Sequence, residues 1–422
     1  MNMNMKKNKL ITGIDIGTTK IAIIIAEATN NSVNILGFGE SVSKGLRRGI
    51  VIDIDKTSLA IEEALNKAEE QAGIEVDSAW IGITGEHVKG INCSGTITIS
   101  NNEYMNPAGE RITQESIDKV LKHAEAITLS PQRKILHTLS REFQVDDNPN
   151  IKNPKGLSGH RLEANVHLVT IARNIESDLK TCLENINVEF DGFILEPLAS
   201  AASVLDENEK ELGVALIDIG GGTTDIILYN NSSVIHTAAI PLGGMIITND
   251  IAVTLKIPID KAEELKCSHG LAKKALADDN KNIVIKGTND REDIQISQKN
   301  LSSIIEARMV EILHLAKSEI KKCETKAKMN FGVVITGGGS QLNNIKDLAK
   351  EIFVLDVKIG TPNSINGIDD IINNPRYATT IGLIKYVDEN NVPSNLEINN
   401  DSDLIDLIKS TIDKVMKYFN LK

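Results

Sequence analysis

Asp15, Gly17, Thr18, Thr19 and Lys20 stand together near the start of the chain, and Asp218, Gly220, Gly221, Gly222, Thr223 and Thr224 stand together about halfway along. In both places an apolar run enters the aspartate, a glycine and threonine turn follows, and a second β-branched run leaves (10–14 and 21–25; 214–217 and 226–229). Each reads as a hairpin whose tip offers backbone N–H groups, hydroxyls and one carboxylate, a set that suits phosphate oxygens and a bound Mg²⁺. Two such tips facing one another would clamp a triphosphate. The copies differ at the end, Asp225 following the second Thr-Thr pair where Lys20 follows the first.

Three further segments carry polar chemistry. Glu196 precedes Pro197 and a run of small residues at the junction of the two halves. Pro241, Gly243 and Gly244 lead into helical sequence carrying Asn249, Asp250, Glu263 and Lys266. The apolar run 333–335 ends in Gly337, Gly338, Gly339 and Ser340, a strand entering a glycine turn where backbone approaches a ligand closely. A lone glycine triplet after a strand is usually only a tight turn; here the order of the segments makes the case.

The elements that position these residues are readable in outline. Residues 10–38 give three short strands with turns at Gly17 and Asn30, and 55–72 give a helix closed by Gly73. A strand over 78–84 completes a strand, helix, strand order suited to a mixed sheet. The texture changes over 85–165, with strand-like alternation, a helix over 113–126 opened by Thr113 and Ser116, and a loop over 146–159. This stretch is expected to be an inserted subdomain. The first domain then covers 8–84 and 166–205, with a strand over 166–172 returning to its sheet. A second domain covers 206–387, with its own insertion near 258–330 and a long amphipathic helix over 301–322. Residues 388–403 read as a flexible linker.

At 422 residues, two or more domains are the starting expectation. A net charge of −12 and 3% aromatic residues argue against general nucleic-acid binding. Cys93, Cys182, Cys267 and Cys323 have no metal or redox spacing, which suits idle thiols in a reducing cytoplasm. No histidine has a metal or triad-like setting, and Gly156, Ser158 and Gly159 miss the nucleophile-elbow spacing. Lys44, Arg47 and Arg48 read as a solvated turn before Val51.

The order of the two hairpins, Glu196 and the downstream glycine turn resembles the actin, heat-shock chaperone and sugar-kinase superfamily. That resemblance implies an α/β, actin-like (ribonuclease H-like) fold of two domains closing over ATP and magnesium. By it, the first group from Asp15 to Lys20 and the second from Asp218 to Thr224 form the phosphate loops, and Asp15 and Asp218 reach Mg²⁺ through waters. Glu196 orients the attacking water, Glu263 and Lys266 hold the ribose or adenine, and Gly337, Gly338 and Gly339 pass under the adenosine. The inserted segment narrows the match. Glu86 to Gly95, Arg133 to His137, Glu142 to Asp146, Lys152 to Pro154 and Gly159 to Glu163 resemble the bacterial division protein family FtsA. Ser140 and the turn 147–150 depart from that family's usual proline and glycine-containing turn.

Residues 404–422 form a helical pattern with Leu404, Ile405, Ile408, Ile412, Val415, Met416 and Phe419 on one side and charges on the other. It is too short and too charged to span a bilayer, and its lysines suit an anionic inner leaflet. The FtsA resemblance implies a membrane-targeting helix here, on the cytoplasmic side of the cell membrane at the division septum. Arg308 and Glu311 lie one turn apart on the exposed face of the long helix, and the resemblance also implies that they bind the C-terminal peptide of FtsZ. Filament formation, recruitment of later division proteins and at most slow ATP hydrolysis complete the expectation. A PilM-like adaptor of another membrane machine, or a small-molecule kinase of the same superfamily, stand as alternatives.

Overall fold

A computed structural model describes residues 9–29, 32–99, 106–286, 292–323, 329–363, 365–390 and 392. The proposed membrane helix and nearly all of the linker lie outside the described residues. No described helix is long and apolar enough to cross a membrane.

The first lobe begins with the antiparallel strands β1 (Lys9–Ile16), β2 (Lys20–Ala28) and β3 (Val33–Val42), followed by a short hairpin, β4 (Leu46–Arg47) and β5 (Ile50–Val51). Ile21, Ile23, Ile24 and Ile25 are fully buried, as a central strand covered on both faces requires. Helix α1 (Ile54–Ala72) starts where the Asp53 carboxylate accepts the Lys56 N–H and stops at Gly73 with φ +67°. It lies on β3 at Gly37 and Gly39, where any side chain would run into its backbone. Strand β6 (Ser78–Ile83) then pairs parallel to β1.

The inserted subdomain holds β7 (Lys89–Thr98), β8 (Glu110–Arg111), α2 (Gln114–Glu125), β9 (Arg133–Val145), β10 (Asn148–Ile151), β11 (Ser158–Gly159) and β12 (Arg161–Ala172). Thr113 and Ser116 do form the capping box of α2. Two expectations are corrected here. Part of the loop expected over 146–159 is the strand β10, reached by a turn in which Asp146 takes φ +51°. The strand expected to rejoin the first sheet at 166 is instead the centre of the insert's own sheet, ordered β10-β9-β12-β7. Residues 162–170 have strand partners on both sides and pairing with β9 continues to Ala172, so the insert ends near 172.

Helix α3 (Arg173–Glu184) and strand β13 (Glu189–Leu195) complete the first sheet, ordered β13-β6-β1-β2-β3. The second lobe follows with α4 (Glu196–Val204), α5 (Glu207–Leu212), β14 (Val214–Ile219), β15 (Thr224–Asn230), β16 (Ser233–Ile240), α6 (Gly244–Leu255) and α7 (Ile259–His269). Next come β17 (Asn282–Ile285), β18 (Ile294–Ser297), α8 (Gln298–Lys321), β19 (Val333–Thr336), α9 (Ile345–Phe353), β20 (Val357–Ile359), α10 (Asp369–Ile372) and α11 (Ala378–Glu389). Its sheet, β16-β15-β14-β19-β20, repeats the connectivity of the first. The repeated phrase in the sequence is thus one corner of a repeated lobe.

Two helices sit across the boundary drawn from sequence. Leu198, Ala201 and Val204 of α4 pack with Val214, Leu216 and Ile227 of the second sheet. Ile381, Leu383, Ile384 and Val387 of α11 pack on Ile11, Ala22 and Ile24 of the first, so the chain's last described helix returns to the first lobe. The two helices cross where Gly382 meets the backbone of Ala199, too close for any side chain. Each carries polar groups toward the cleft between the lobes.

Candidate functional site

The two hairpin tips do face one another. A side chain at Gly221 would collide with Thr19, and one at Gly222 with Thr18, so only glycine allows the approach. The second tip is fixed from behind, where the N–H groups of Gly244 and Met245 donate to the Gly220 and Gly221 carbonyls at 2.9 and 2.8 Å. Between the lobes lies a cleft of about 640 Å³, within the size range of small-molecule sites.

Asp15 and Asp218 occupy equivalent ends of β1 and β14, and the crossing helices hold them in parallel ways. The Thr380 hydroxyl of α11 donates to Asp15 Oδ2 at 3.1 Å, and Lys20 Nζ lies 3.4 Å from the same oxygen. The Ser200 hydroxyl of α4 and the Thr379 hydroxyl of α11 donate to Asp218 Oδ2 at 2.6 and 3.1 Å. Burial outweighs these bonds and raises the Asp218 carboxyl above its ordinary value. Glu196 starts α4 and rests beside Gly82 of β6, whose missing side chain leaves room for it. Burial first, then the charges of Asp15, Asp225 and Asp218, push the Glu196 carboxyl well above the usual range.

Asp225 is a fourth acid that the sequence reading left out of the site. It pairs across the hairpin with Asp218, so it corresponds to Ala22 of the first copy, and Lys20 corresponds to Thr223. The likeness of Asp225 to Lys20 in the string of letters is not a likeness of position. Burial, opposed by hydrogen bonds from Thr84 and Thr223, pushes its carboxyl up to about 7. Thr84, at the end of β6, reaches it from the other lobe.

Three buried aspartates and the half-buried Glu196 against one lysine suit a hard divalent cation accompanied by phosphate. Among the described residues no three histidine, cysteine or carboxylate side chains converge to ligate a metal directly.

Elsewhere on the cleft wall, Glu263 and Lys266 of α7 pair at 2.6 Å, and Lys266 Nζ also donates to Thr248 Oγ1 at 2.9 Å. Burial would raise the Glu263 carboxyl, but the Lys266 charge and the hydrogen bonds outweigh it and hold it low. Gly337 has φ +81°, and a side chain there would strike the Asp218 carboxylate. Gly338 and Gly339 complete that wall.

Most of the residues singled out from sequence line this cleft: Asp15, Gly17, Thr18, Thr19, Lys20, Glu196, Asp218, Gly220, Gly221, Gly222, Thr223, Gly244, Glu263, Lys266, Gly337, Gly338 and Gly339. Four do not. Thr224 is buried with its hydroxyl on the Leu242 carbonyl, and Ser340 donates to the Gly337 carbonyl. Gly243 sits behind the second tip, and Asn249 is exposed on α6 because Ile247, Thr248 and Ile251 take the inward face. Arg308 is also corrected: it is half-buried, bridging α8 to Asp250 of α6 at 2.8 Å as well as to Glu311, rather than standing on a free face.

Two lobes of one topology, crossed by two helices and meeting at paired phosphate-type turns, define an actin-like protein. Solved structures share the fold: the PilM–PilN type IV pilus biogenesis complex matches with TM-score 0.64, 13% identity and 90% and 98% of the two chains covered. MreB5 of Spiroplasma citri bound to ADP matches with TM-score 0.55, 13% identity and 93% and 99% covered. The family model for cell division protein FtsA matches residues 215–382, and that for the SHS2 domain inserted in FtsA matches 85–170. Cell division protein FtsA of Pseudomonas aeruginosa is 38% identical over 384 residues, 91% of this chain and 90% of that one. The Escherichia coli K12 protein of the same name is 32% identical over 398 residues, 92% and 93% of the two. The chain belongs to the FtsA family of cell division proteins.

Proposed function

We propose that the cleft binds ATP with magnesium and that nucleotide sets the closure of the two lobes. That closure in turn governs self-association into filaments at the inner face of the cytoplasmic membrane. There the chain binds the C-terminal peptide of FtsZ, tethers FtsZ filaments to the membrane and helps recruit later division proteins. The observation that supports this reading best is the pair of facing glycine tips, each backed by a buried aspartate that a helix hydroxyl holds in place.

Bound nucleotide would bring a magnesium ion whose charge offsets both the triphosphate and the excess of carboxylates. The chain's own parts divide the task by position. Backbone N–H groups of the two tips receive phosphate oxygens, and Asp15 and Asp218 orient waters on the metal. Glu196 is placed to orient a water beside the phosphates. Glu263 and Lys266 meet the ribose or base edge. Similar switch chemistry in a family of assembly proteins calls for slow hydrolysis rather than fast turnover.

Titration calorimetry of the purified full chain with ATP, with magnesium and with a chelator, tests the reading. The wild type binds one ATP and loses affinity when magnesium is removed. Gly221→Val fills the space of Thr19 and weakens binding by at least about tenfold. Equal binding by the two proteins would sink the clamp.

A further inference from the structure

Arg376 is a cation of the cleft wall that no part of the phosphate clamp uses. It lines the cleft with Gln341, and its Cγ lies 3.9 Å from where a side chain of Gly338 would begin. The segment bearing it is stapled to the glycine turn: the Gly337 N–H donates to the Pro375 carbonyl at 3.2 Å, and Gln341 Nε2 donates to Asn374 Oδ1 at 2.8 Å. Across the cleft stand Lys266 and Cys267 of α7. Burial raises the Cys267 thiol, and the Arg376 charge is near enough to oppose that rise.

Of the three cations that line the cleft, Lys20 is paired with Asp15 and Lys266 with Glu263. Arg376 is held differently. Nη2 meets Glu40 Oε1 of β3 at 2.8 Å, and the guanidinium carbon lies 5.6 Å from the Tyr377 ring centroid. Tyr377 is itself fixed, its hydroxyl donating to Glu40 Oε2 at 3.0 Å. Glu40 engages one edge of the guanidinium, and the side chain keeps 41% of its surface exposed. An edge-held planar cation, weakly hydrated and restrained beside a cleft, suits an aromatic face better than a phosphate. The phosphates already have the backbone amides of the tips and Lys20, whose Nζ lies 4.9 Å from the centroid of the same Tyr377 ring.

We propose that Arg376 is the base-stacking residue of the cleft, its guanidinium lying on the purine ring and favouring purine over pyrimidine nucleotides. This rests on the nucleotide-clamp reading and adds a specificity residue to it. The larger purine face offers more overlap than a pyrimidine. Lysine retains the charge but has no plane to stack.

The experiment compares affinities of the full chain for MgATP, MgCTP and magnesium tripolyphosphate, in wild type, Arg376→Ala and Arg376→Lys. Loss of a cation–π contact at a half-exposed site corresponds to roughly a 3- to 30-fold weakening, expected for MgATP in both variants. MgCTP affinity changes less, so discrimination between the two nucleotides shrinks, and tripolyphosphate affinity stays at the wild-type value. MgATP affinity unchanged in Arg376→Ala, or fully restored in Arg376→Lys, overturns the stacking role. A parallel fall in tripolyphosphate affinity also overturns it, because the residue would then act through charge or through the shape of the site. A wild type that binds tripolyphosphate and not MgATP removes the base subsite and this inference with it. A wild type that binds neither removes the clamp itself.

Discussion

Buried carboxylates crowd the cleft, and the same lobe contact that brings them together extends to a neutral histidine. His167, on the insert's central strand, holds Asn92 Oδ1 at 2.6 Å through Nδ1 and Thr237 Oγ1 at 2.8 Å through Nε2. Both ring nitrogens are satisfied by an uncharged ring, one donating and one accepting. Burial, with the charges of His236 and Arg141 nearby, pushes it down to about 4. A folded-state value below the unfolded 6.5 means that the unfolded chain binds the proton first as pH falls. The stability His167 contributes is thus complete above pH 6.5 and declines between 6.5 and about 4. Urea unfolding should find His167→Gln less stable than wild type by about 1 kcal/mol at pH 7.5, the gap narrowing through that window. A gap that widens on acidification contradicts the neutral ring. Asp15, Asp218 and Glu196 were legible in the sequence because each stands beside a turn or proline that marks a strand end. Asp225, Thr84, Ser200, Thr379 and Thr380 were not, since register and helix crossing alone bring them to the site.

Helix α8 shows what an element's pattern conveys and what it withholds. Its apolar stripe located the helix, and Ile305, Ile312 and Ile320 are buried as that stripe requires. The polar pair Arg308 and Glu311 looked like free surface, yet Arg308 is tied to Asp250 on α6. Charge reversal therefore has two consequences that a swap can separate. Arg308→Glu places like charges against Asp250 and Glu311 and should cost about 1 kcal/mol in urea unfolding. Adding Asp250→Arg restores the stability. If Arg308 also receives the FtsZ peptide, the swapped protein regains stability but not peptide affinity in fluorescence anisotropy, whereas wild-type affinity in the swap would exclude the partner role. Helices α4 and α11 carry a related lesson. Pro197 and the small residues after it mark a helix start for α4, whereas α11 was not read from the sequence, and nothing local told that α4 would pack on the second lobe and α11 on the first. Strand β12 was misplaced for the same reason, its pairing partners lying more than 15 residues away in sequence.

At the scale of the molecule, a repeated hairpin has become a repeated lobe, and the insert is a third body bridging both. It belongs covalently to the first lobe, yet Asn92 Nδ2 donates to the Ile235 carbonyl of β16 at 3.3 Å, and the Ser233 hydroxyl donates to the Arg141 carbonyl at 2.7 Å. Lobe closure and insert position are therefore mechanically linked, as the proposed nucleotide-driven assembly switch requires. In the proposed function the place of assembly falls to residues 404–422, whose amphipathic sequence pattern predicts a lipid surface. The full chain should float with anionic liposomes while a chain ending at Asn400 stays behind; equal flotation would remove the tail from the account. The central claim, that an occupied cleft produces a polymer-competent subunit, meets its most direct test in electron microscopy on anionic lipid monolayers. Wild type with MgATP is predicted to form filaments, and wild type without nucleotide and Gly221→Val with MgATP are predicted to lie dispersed on the lipid. Filaments of equal abundance in all three preparations would contradict the claim.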